Sequence, residues 1–322
     1  MKISKVIIMV LLLTLLGANT VVGELKKVKI GILPTSSMLP LFLAQERGWY
    51  KEAGLDVELM KMRGGATIIP ALVGDSIQIG YSNAISIILS RSRGLGLQII
   101  TNHVDEGYTR NASEPGGYAT SSSGIVVQKD SGIKSAKDLE GKKVAVNAIK
   151  NIDWMAVWEW MEKNGADPKK ITWVEVGFPK MIPALMGNKV DAVEATEPFK
   201  TILRGKGASL VVNTLHDLRP GLTLACFVAK EEWINKNPKA AEGFVSATAK
   251  GQKYLNTHPD ERNQLVTKYT KVSLNLAKKM TWHNWQSKVD LDSMKLWIQL
   301  SQKHGLLKQA PSMEELIYKA AR

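Results

Sequence analysis

Between Val28 and Ile100 the sequence repeats one unit three times: an extended apolar run, a turn rich in glycine, serine or asparagine, and an apolar helix. Consecutive strand–turn–helix units predict a parallel sheet, because each helix must cross back over the sheet before the next strand can pair. All three turns then lie at the carboxyl ends of the strands, where open α/β sheets bind ligands. The repeat therefore predicts an α/β fold with a candidate ligand site at that edge.

The same pattern returns with different residues between Gly141 and Val212. The run Leu222–Ala229 then predicts a strand that returns to the first half, and the chain after Glu231 predicts helices only. We therefore expect two α/β lobes, each a doubly wound, mainly parallel sheet, joined by two crossing strands and completed by a helical C-terminal region. The predicted boundaries are 24–121 and 224–322 for the first lobe and 122–223 for the second.

The first residues predict a secretory signal spanning 1–23. Lys2 and Lys5 precede the apolar run Val6–Leu16, and small residues follow it. The run is shorter than the roughly 20 apolar residues that a transmembrane helix needs. We therefore expect an exported, periplasmic protein whose signal is cleaved, and the alternative is a retained membrane anchor.

Charge and cysteine content restrict the function further. The net charge is +13, but the lysines are scattered and no nucleic-acid recognition motif accompanies them. They favour a solvated surface with mild attraction for anions. Cys226 is the single cysteine and lies in an apolar run, which is typical of a buried small side chain. An intrachain disulfide is therefore excluded, and nucleic acid is not an expected partner.

Known catalytic signatures are absent from the sequence. It contains neither a nucleophile elbow nor a phosphate-binding loop, and Gly94-Leu95-Gly96 stands before a strand, where a dinucleotide turn does not occur. The histidines share no spacing typical of metal ligands. We therefore predict no enzymatic activity, no cofactor and no metal.

The turns of the first half instead expose backbone N–H groups at helix N-termini, which suit an oxyanion. Serine, threonine and asparagine side chains add donors, and the Gly64-Gly65 pair lets the backbone approach a ligand closely. The candidate ligand-binding residues on this side are Ser36, Ser37, Met38, Gly64, Gly65, Ala66, Thr67, Ser82 and Asn83.

The turns of the second half add aromatic side chains and an acid. Core packing is the alternative for Trp154 and Phe178, and Glu197 has an alternative as a first-turn acid that favours the helix dipole. As a ligand contact, Glu197 would accept a hydrogen bond from an amine or N–H group. The candidates on this side are Ser123, Asn147, Ile149, Asn151, Trp154, Phe178 and Glu197.

Taken together, these motifs resemble the type II periplasmic binding proteins for nitrate, sulfonates and taurine, a group that also includes pyrimidine-precursor binders. The resemblance covers nearly the whole chain after the signal. It is carried by Ile30-Gly31-Ile32, Gly48–Val57 (GWYKEAGLDV), Gly64-Gly65-Ala66, Ala71–Gly80, Asp138–Val146, Val190–Val193 and Glu197-Pro198-Phe199.

The resemblance implies a monomeric receptor that closes its lobes on a small organic anion, such as a sulfonate, taurine or nitrate, and delivers it to the membrane subunits of an ABC permease. It also carries over the first-lobe residues Ser37, Gly65, Ala66, Thr67 and Asn83. The second-lobe turn after Val146, usually Gly-Ser in the family, here reads Asn147-Ala148. That change removes a hydroxyl donor, for which Lys150 would compensate, or it points to a larger, less charged solute such as a pyrimidine precursor.

Two other classes of protein fit the same fold. Pyrimidine synthases resemble these binders, but they are cytoplasmic and use a cysteine-rich motif, whereas this chain has Cys226 alone and a predicted export signal. The effector lobes of a transcription regulator would need a helix-turn-helix segment ahead of Val28, and none is found there.

Overall fold

A computed structural model describes residues 24–62, 65–110 and 119–321. The predicted signal 1–23 and Gly64 lie outside the described residues. None of the helices in the described ranges combines the length and apolarity needed to cross a membrane.

The first lobe is built on a mixed sheet, with strand order β13-β4-β12-β3-β1-β2 among the described residues. The repeat pairs as predicted, since β1 lies parallel to both β2 and β3. The returning strand β12 lies antiparallel between β3 and β4. The strands are β1 (Lys26–Ile32), β2 (Leu55–Lys61), β3 (Ile79–Asn83), β4 (Leu97–Asp105), β12 (Thr223–Lys230) and β13 (Asn284–Trp285).

The second lobe is built on a smaller mixed sheet, with strand order β11-β7-β10-β8-β9 among the described residues. Its β8, β9 and β10 run parallel, whereas β7 is antiparallel to both β10 and β11. The strands are β7 (Ser123–Val127), β8 (Lys143–Val146), β9 (Thr172–Glu175), β10 (Ala192–Thr196) and β11 (Ser209–Val212). A short hairpin of β5 (Tyr108–Arg110) and β6 (Ala119–Ser121) stands between the two sheets in the chain.

Helices cover the faces of both sheets. Those that precede β12 are α1 (Leu39–Glu46), α2 (Trp49–Glu52), α3 (Gly65–Val73), α4 (Ala84–Ser92), α5 (Ile152–Lys163), α6 (Phe178–Met186), α7 (Phe199–Gly205) and α8 (Thr214–Leu218). Those that follow it are α9 (Glu231–Lys236), α10 (Pro238–Thr257), α11 (Pro259–Tyr269), α12 (Leu274–Ala277), α13 (Leu291–Lys303) and α14 (Met313–Leu316).

The chain passes between the lobes twice, after β4 and before β12, so the two-lobed α/β architecture predicted from the sequence is confirmed. The core of the first lobe includes the fully buried β-strand residues Ile30, Ile79 and Phe227. Two of the C-terminal helices pack on helices of the first lobe: α10 packs closely on α1, and α13 packs on α4. The first lobe is therefore the larger body.

Two helix starts determine where residues near the carboxyl ends of the strands lie. Ser36 and Ser37 do not cap a helix; they form a one-turn 3-10 segment, Ser36–Met38, ahead of α1. In the second lobe Asn151, and not Asp153, caps α5, because the Asn151 Oδ1 atom accepts a hydrogen bond of 2.9 Å from the Trp154 N–H. This places Asp153 inside the first turn of α5.

Candidate functional site

A cavity lies between the two lobes where the carboxyl ends of β1, β3, β4, β8 and β10 face each other. The space open to the centre of a water molecule is about 60 Å³. Both lobes contribute to its wall, which is formed by Leu33, Thr35, Ser37, Tyr81, Ser82, Asn83, Val104, Ser123, Asn147, Asn151, Ile152, Asp153, Phe178, Thr196, Leu215, Leu224, Ala225 and His283.

The cavity brings together part of the residue set predicted from the sequence. Seven predicted residues line it: Ser37, Ser82, Asn83, Ser123, Asn147, Asn151 and Phe178. The other candidates whose side chains the structure describes lie outside the lining: Ser36, Met38, Thr67, Ile149, Trp154 and Glu197. The side-chain positions at Gly65 and Ala66 lie outside the described part of the structure.

The first-lobe wall is held rigidly at Ser37. Its carbonyl oxygen accepts hydrogen bonds from Trp285 Nε1 at 2.8 Å and from His103 Nε2 at 2.7 Å. Burial lowers the pKa of His103 to about 3, so the ring is neutral and donates from Nε2. The hydroxyl groups of Ser37 and Thr35 lie 2.6 Å apart and share a hydrogen bond. These hydrogen bonds hold the turn after β1 in place.

The second-lobe wall is organised by Asn151, which is 2% exposed. While its Oδ1 atom caps α5, its Nδ2 atom donates a hydrogen bond of 3.0 Å to Asp153 Oδ2. Burial raises the pKa of Asp153 to about 6, against the smaller opposing effect of that hydrogen bond. The carboxyl is therefore ionised at neutral pH although it is only 7% exposed.

His283 is a lining residue that the sequence analysis missed. It comes from the C-terminal region, just before β13, and neither ring nitrogen has a hydrogen-bond partner among the described residues. Burial, together with the charge of Lys200, lowers the pKa of His283 to about 4. The ring is neutral, so it offers the cavity one donor and one acceptor.

Further buried polar atoms in this wall also have no hydrogen-bond partner in the described chain. They are Ser82 Oγ, Ser123 Oγ and Asn147 Nδ2. A buried polar group without a partner costs about 1–3 kcal/mol. The rest of the lining is mainly apolar. A few polar groups set in a mainly apolar wall are typical of a small-molecule binding site.

Glu197 and Ser36 instead contribute to the contact between the lobes. The Ser36 hydroxyl donates a hydrogen bond of 3.1 Å to the backbone carbonyl of Glu197. The Glu197 carboxylate is fully buried and accepts from the Thr201 hydroxyl at 2.9 Å, the Thr201 N–H at 3.1 Å and the Thr281 N–H at 3.3 Å. Glu197 therefore lies ahead of α7, whose first turn contains no acid, and its carboxylate accepts the Thr201 N–H near the start of that helix.

The other predicted residues outside the lining have packing or surface positions. Trp154 lies 4.6 Å from the Trp158 ring and 5.9 Å from the Trp173 ring, measured between centroids. Met38 is fully buried in the core, and Ile149 is 37% exposed. Thr67 is exposed in the first turn of α3, where Gly65 and Ala66 are the first residues.

A two-lobed α/β fold with a cavity between its two sheets defines the structural class of this chain. A solved ligand-binding component of an ABC-type import system from Staphylococcus aureus has this fold, with a TM-score of 0.76 at 15% identity over 91% of this chain and 96% of that one. At this identity the likeness shows the fold alone.

The family is shown by sequence. Residues 35–262 match the family described as NMT1/THI5 like, and the chain belongs to that family. A 4-amino-5-hydroxymethyl-2-methylpyrimidine phosphate synthase of Saccharomyces cerevisiae is 23% identical over 70% of this chain, which spans only 65% of the length of that synthase. A taurine-binding periplasmic protein of Escherichia coli is 24% identical over 77% of this chain and 73% of its own.

Proposed function

We propose that this protein is the extracytoplasmic solute-binding component of an ABC importer. It captures a small organic solute in the cavity between its lobes and delivers it to the membrane subunits of the permease. The names of its relatives, which include sulfonate-, nitrate- and taurine-binding proteins, indicate solutes of those types, with pyrimidine precursors as the alternative.

The observation that supports this proposal most is the cavity shared by the two lobes. Its wall combines Ser37, Ser82 and Asn83 of one lobe with Ser123, Asn147 and Asn151 of the other. A solute that bonds both walls favours the closed arrangement of the lobes over an open one, since it gains contacts only when both walls meet. Capture by closure follows from this geometry.

Mass spectrometry of protein purified without refolding tests the proposal. We expect a small solute to co-purify, and we expect it to raise the unfolding temperature when it is added back, because a ligand that binds only the folded state stabilises it. A thermal-shift panel of alkanesulfonates, taurine, nitrate and an aminopyrimidine provides the second measurement. The proposal fails if no solute co-purifies and no member of the panel shifts the transition.

Mass spectrometry also distinguishes a solute-binding protein from a synthase. The thiol of Cys226 is buried, and burial raises its pKa well above the usual range, which opposes thiolate chemistry. We therefore expect an added solute to be recovered chemically unchanged after prolonged incubation. A product of different mass would favour the synthase-like alternative.

An ion-pair cluster joins α5 of the second lobe to the end of α13, which packs on the first lobe. Lys303 Nζ lies 2.7 Å from Glu159 Oε1 and 2.9 Å from Glu162 Oε2. His304 also contacts the Glu159 carboxylate. Because these pairs connect the two lobes, we expect them to favour the closed arrangement of the lobes.

Lys303→Gln is expected to weaken solute binding by about 2- to 5-fold. Lys303 is half exposed, and pairs of this kind contribute at most about 1 kcal/mol in water. Calorimetry with the co-purified solute measures the change, which should shrink at high salt as the pairs are screened. Lys295→Gln is the matched control, because Lys295 lies on the same helix and pairs with Asp292 of that helix, within the first lobe. Equal affinities of the two variants would contradict the role of the cluster.

A further inference from the structure

We propose that the solute presents a cationic N–H group, an ammonium or a protonated aminopyrimidine, to the carboxylate of Asp153. This inference rests on the proposed function and adds the chemistry of recognition to it. It assigns to Asp153 the position that fixes the orientation of the solute.

Asp153 is the only lining residue that carries a formal charge at neutral pH among the residues that the structure describes. Its hydrogen bond from Asn151 occupies Oδ2 alone, at 3.0 Å. A carboxylate offers about four acceptor positions on its two oxygens. The carboxylate therefore has capacity to accept N–H bonds from the cavity side.

The described wall contains no lysine or arginine that would neutralise this charge. The buried cation of the region, Lys200, lies outside the lining and is held by the backbone carbonyl of Ser121 and by Glu197 Oε1 at 3.5 Å. Glu194 on β10 is a second acid near Asp153, so it cannot neutralise the charge of Asp153. Burial raises its pKa well above the usual range, so it favours the neutral form.

A buried charge is costly unless it is paired, and this one faces a cavity that a solute enters. A cationic N–H group supplies the missing charge together with a charge-assisted hydrogen bond. A simple inorganic anion such as nitrate would instead face the carboxylate as a like charge. The electrostatics of the wall therefore select a cation or a zwitterion.

The rest of the wall suits the other end of such a solute. Ser82, Ser123 and Asn147 present buried polar atoms without partners, and His283 presents a neutral ring. These neutral groups can bond a sulfonate or a heterocycle without adding charge. The expected solute therefore has an amino group that binds Asp153 and a polar or anionic group at its other end. Amino-substituted organic acids and amino-heterocycles have both groups.

A structural role at the helix start is the other explanation for Asp153, since acids in the first turn favour the helix dipole. Asn151 already caps α5. Asp292, in the same position relative to the start of α13, has a side chain that is 72% exposed and pairs with Lys295. The dipole acts at both positions, so it does not explain why Asp153 is buried in the wall.

Matched solute pairs that differ only in the amino group test the inference directly. The first pair is taurine and isethionate, in which a hydroxyl replaces the ammonium. The second pair is 4-amino-5-hydroxymethyl-2-methylpyrimidine and its 4-oxo counterpart. We expect the amino member of at least one pair to bind, and its partner to bind roughly 10- to 100-fold more weakly, the range for a lost hydrogen bond to a charged group.

Asp153→Asn should remove this preference and leave the fold intact, since asparagine has nearly the same shape. Its affinity for the amino member should fall roughly 10- to 100-fold, while the affinity for the amino-free member stays equal or rises. Asp292→Asn is the control, and it should bind as the unaltered protein does. Unfolding temperature and circular dichroism confirm that each variant is folded.

The outcomes separate the two proposals. Equal binding within each pair, or an unchanged preference in Asp153→Asn, overturns the inference and leaves the proposed function standing. A co-purified solute that lacks any N–H group does the same. If no solute binds or co-purifies, both the proposed function and the role of Asp153 are overturned.

Discussion

Replacing Lys200 by methionine is expected to lower the free energy of unfolding by about 3–5 kcal/mol, the cost of breaking a buried ion pair from one side. Both partners of the pair, Lys200 and Glu197, have side chains that are 1% exposed. Burial lowers the pKa of Lys200, and the negative charge of Glu197 opposes that effect. The ammonium is therefore stable inside the protein only because of its partners.

The destabilisation comes from what the lysine leaves behind. Without it, the Ser121 carbonyl loses a donor and the Glu197 carboxylate becomes an uncompensated buried charge. Methionine fills the aliphatic volume, so a cavity contributes little to the expected loss. Urea unfolding monitored by tryptophan fluorescence measures the change.

Two further variants make this prediction specific. Lys206→Met, at an exposed lysine just after α7, should change the stability by less than about 0.5 kcal/mol. The double variant Glu197→Gln with Lys200→Met should recover part of the loss, because the isolated charge is then absent. A loss in Lys200→Met no larger than in Lys206→Met would contradict the argument.

Glu197 also shows which features of the site can be predicted from the sequence and which cannot. The strand–turn–helix repeat predicts the fold and the edge of the sheets that forms the cavity, since these follow from local periodicity and from the handedness of the connections. The turn after β10 lies at that edge, as expected. The direction of one side chain within the turn depends on contacts with distant residues such as Thr281, and no local pattern records them.

The same limit explains the other differences at the site. Ser37, Ser82 and Asn147 line the cavity because the turns that contain them end parallel strands. Trp154 is directed into an aromatic cluster because α5 begins at Ile152, which sets the phase of the helix. His283 lies in a segment whose sequence has no helix or strand periodicity, and the pairing of β13 with β4 places it at the cavity. Asp153 lies inside the first turn of α5 because Asn151, and not Asp153, caps that helix.

Asp153→Asn is expected to raise the stability of the solute-free protein at pH 8 by about 2–3 kcal/mol. Burial raises the pKa of Asp153 from 3.8 to about 6, and such a shift corresponds to about 3 kcal/mol of cost for the ionised form. The lost interaction with the helix dipole subtracts up to about 1 kcal/mol. A residue that lowers stability in the free protein is typical of a functional site.

The pH dependence follows from the sign of that shift. An acid whose pKa is raised by folding contributes stability that is fully present below its unfolded pKa, here 3.8, and is lost as the pH rises through about 6. The groups around it are Asn151 beside it, Glu194 on β10, Tyr81 on β3 and His283 before β13, with Lys200 acting near Glu194. Asp105, whose pKa burial also raises to about 6, is present in both proteins, so it cancels in the difference.

The stability gap between Asp153→Asn and the unaltered protein should therefore be largest above pH 7 and close between about pH 6 and pH 4. Urea unfolding of both solute-free proteins across pH 4–8 measures it, with Asp292→Asn as the control that shows no such gap. Saturation with the amino-bearing solute should reverse the order, because the bound cation compensates the carboxylate and stabilises only the protein that retains it. A gap that is constant with pH, or an order that the solute leaves unchanged, would show that the charge of Asp153 is balanced within the protein and serves its fold.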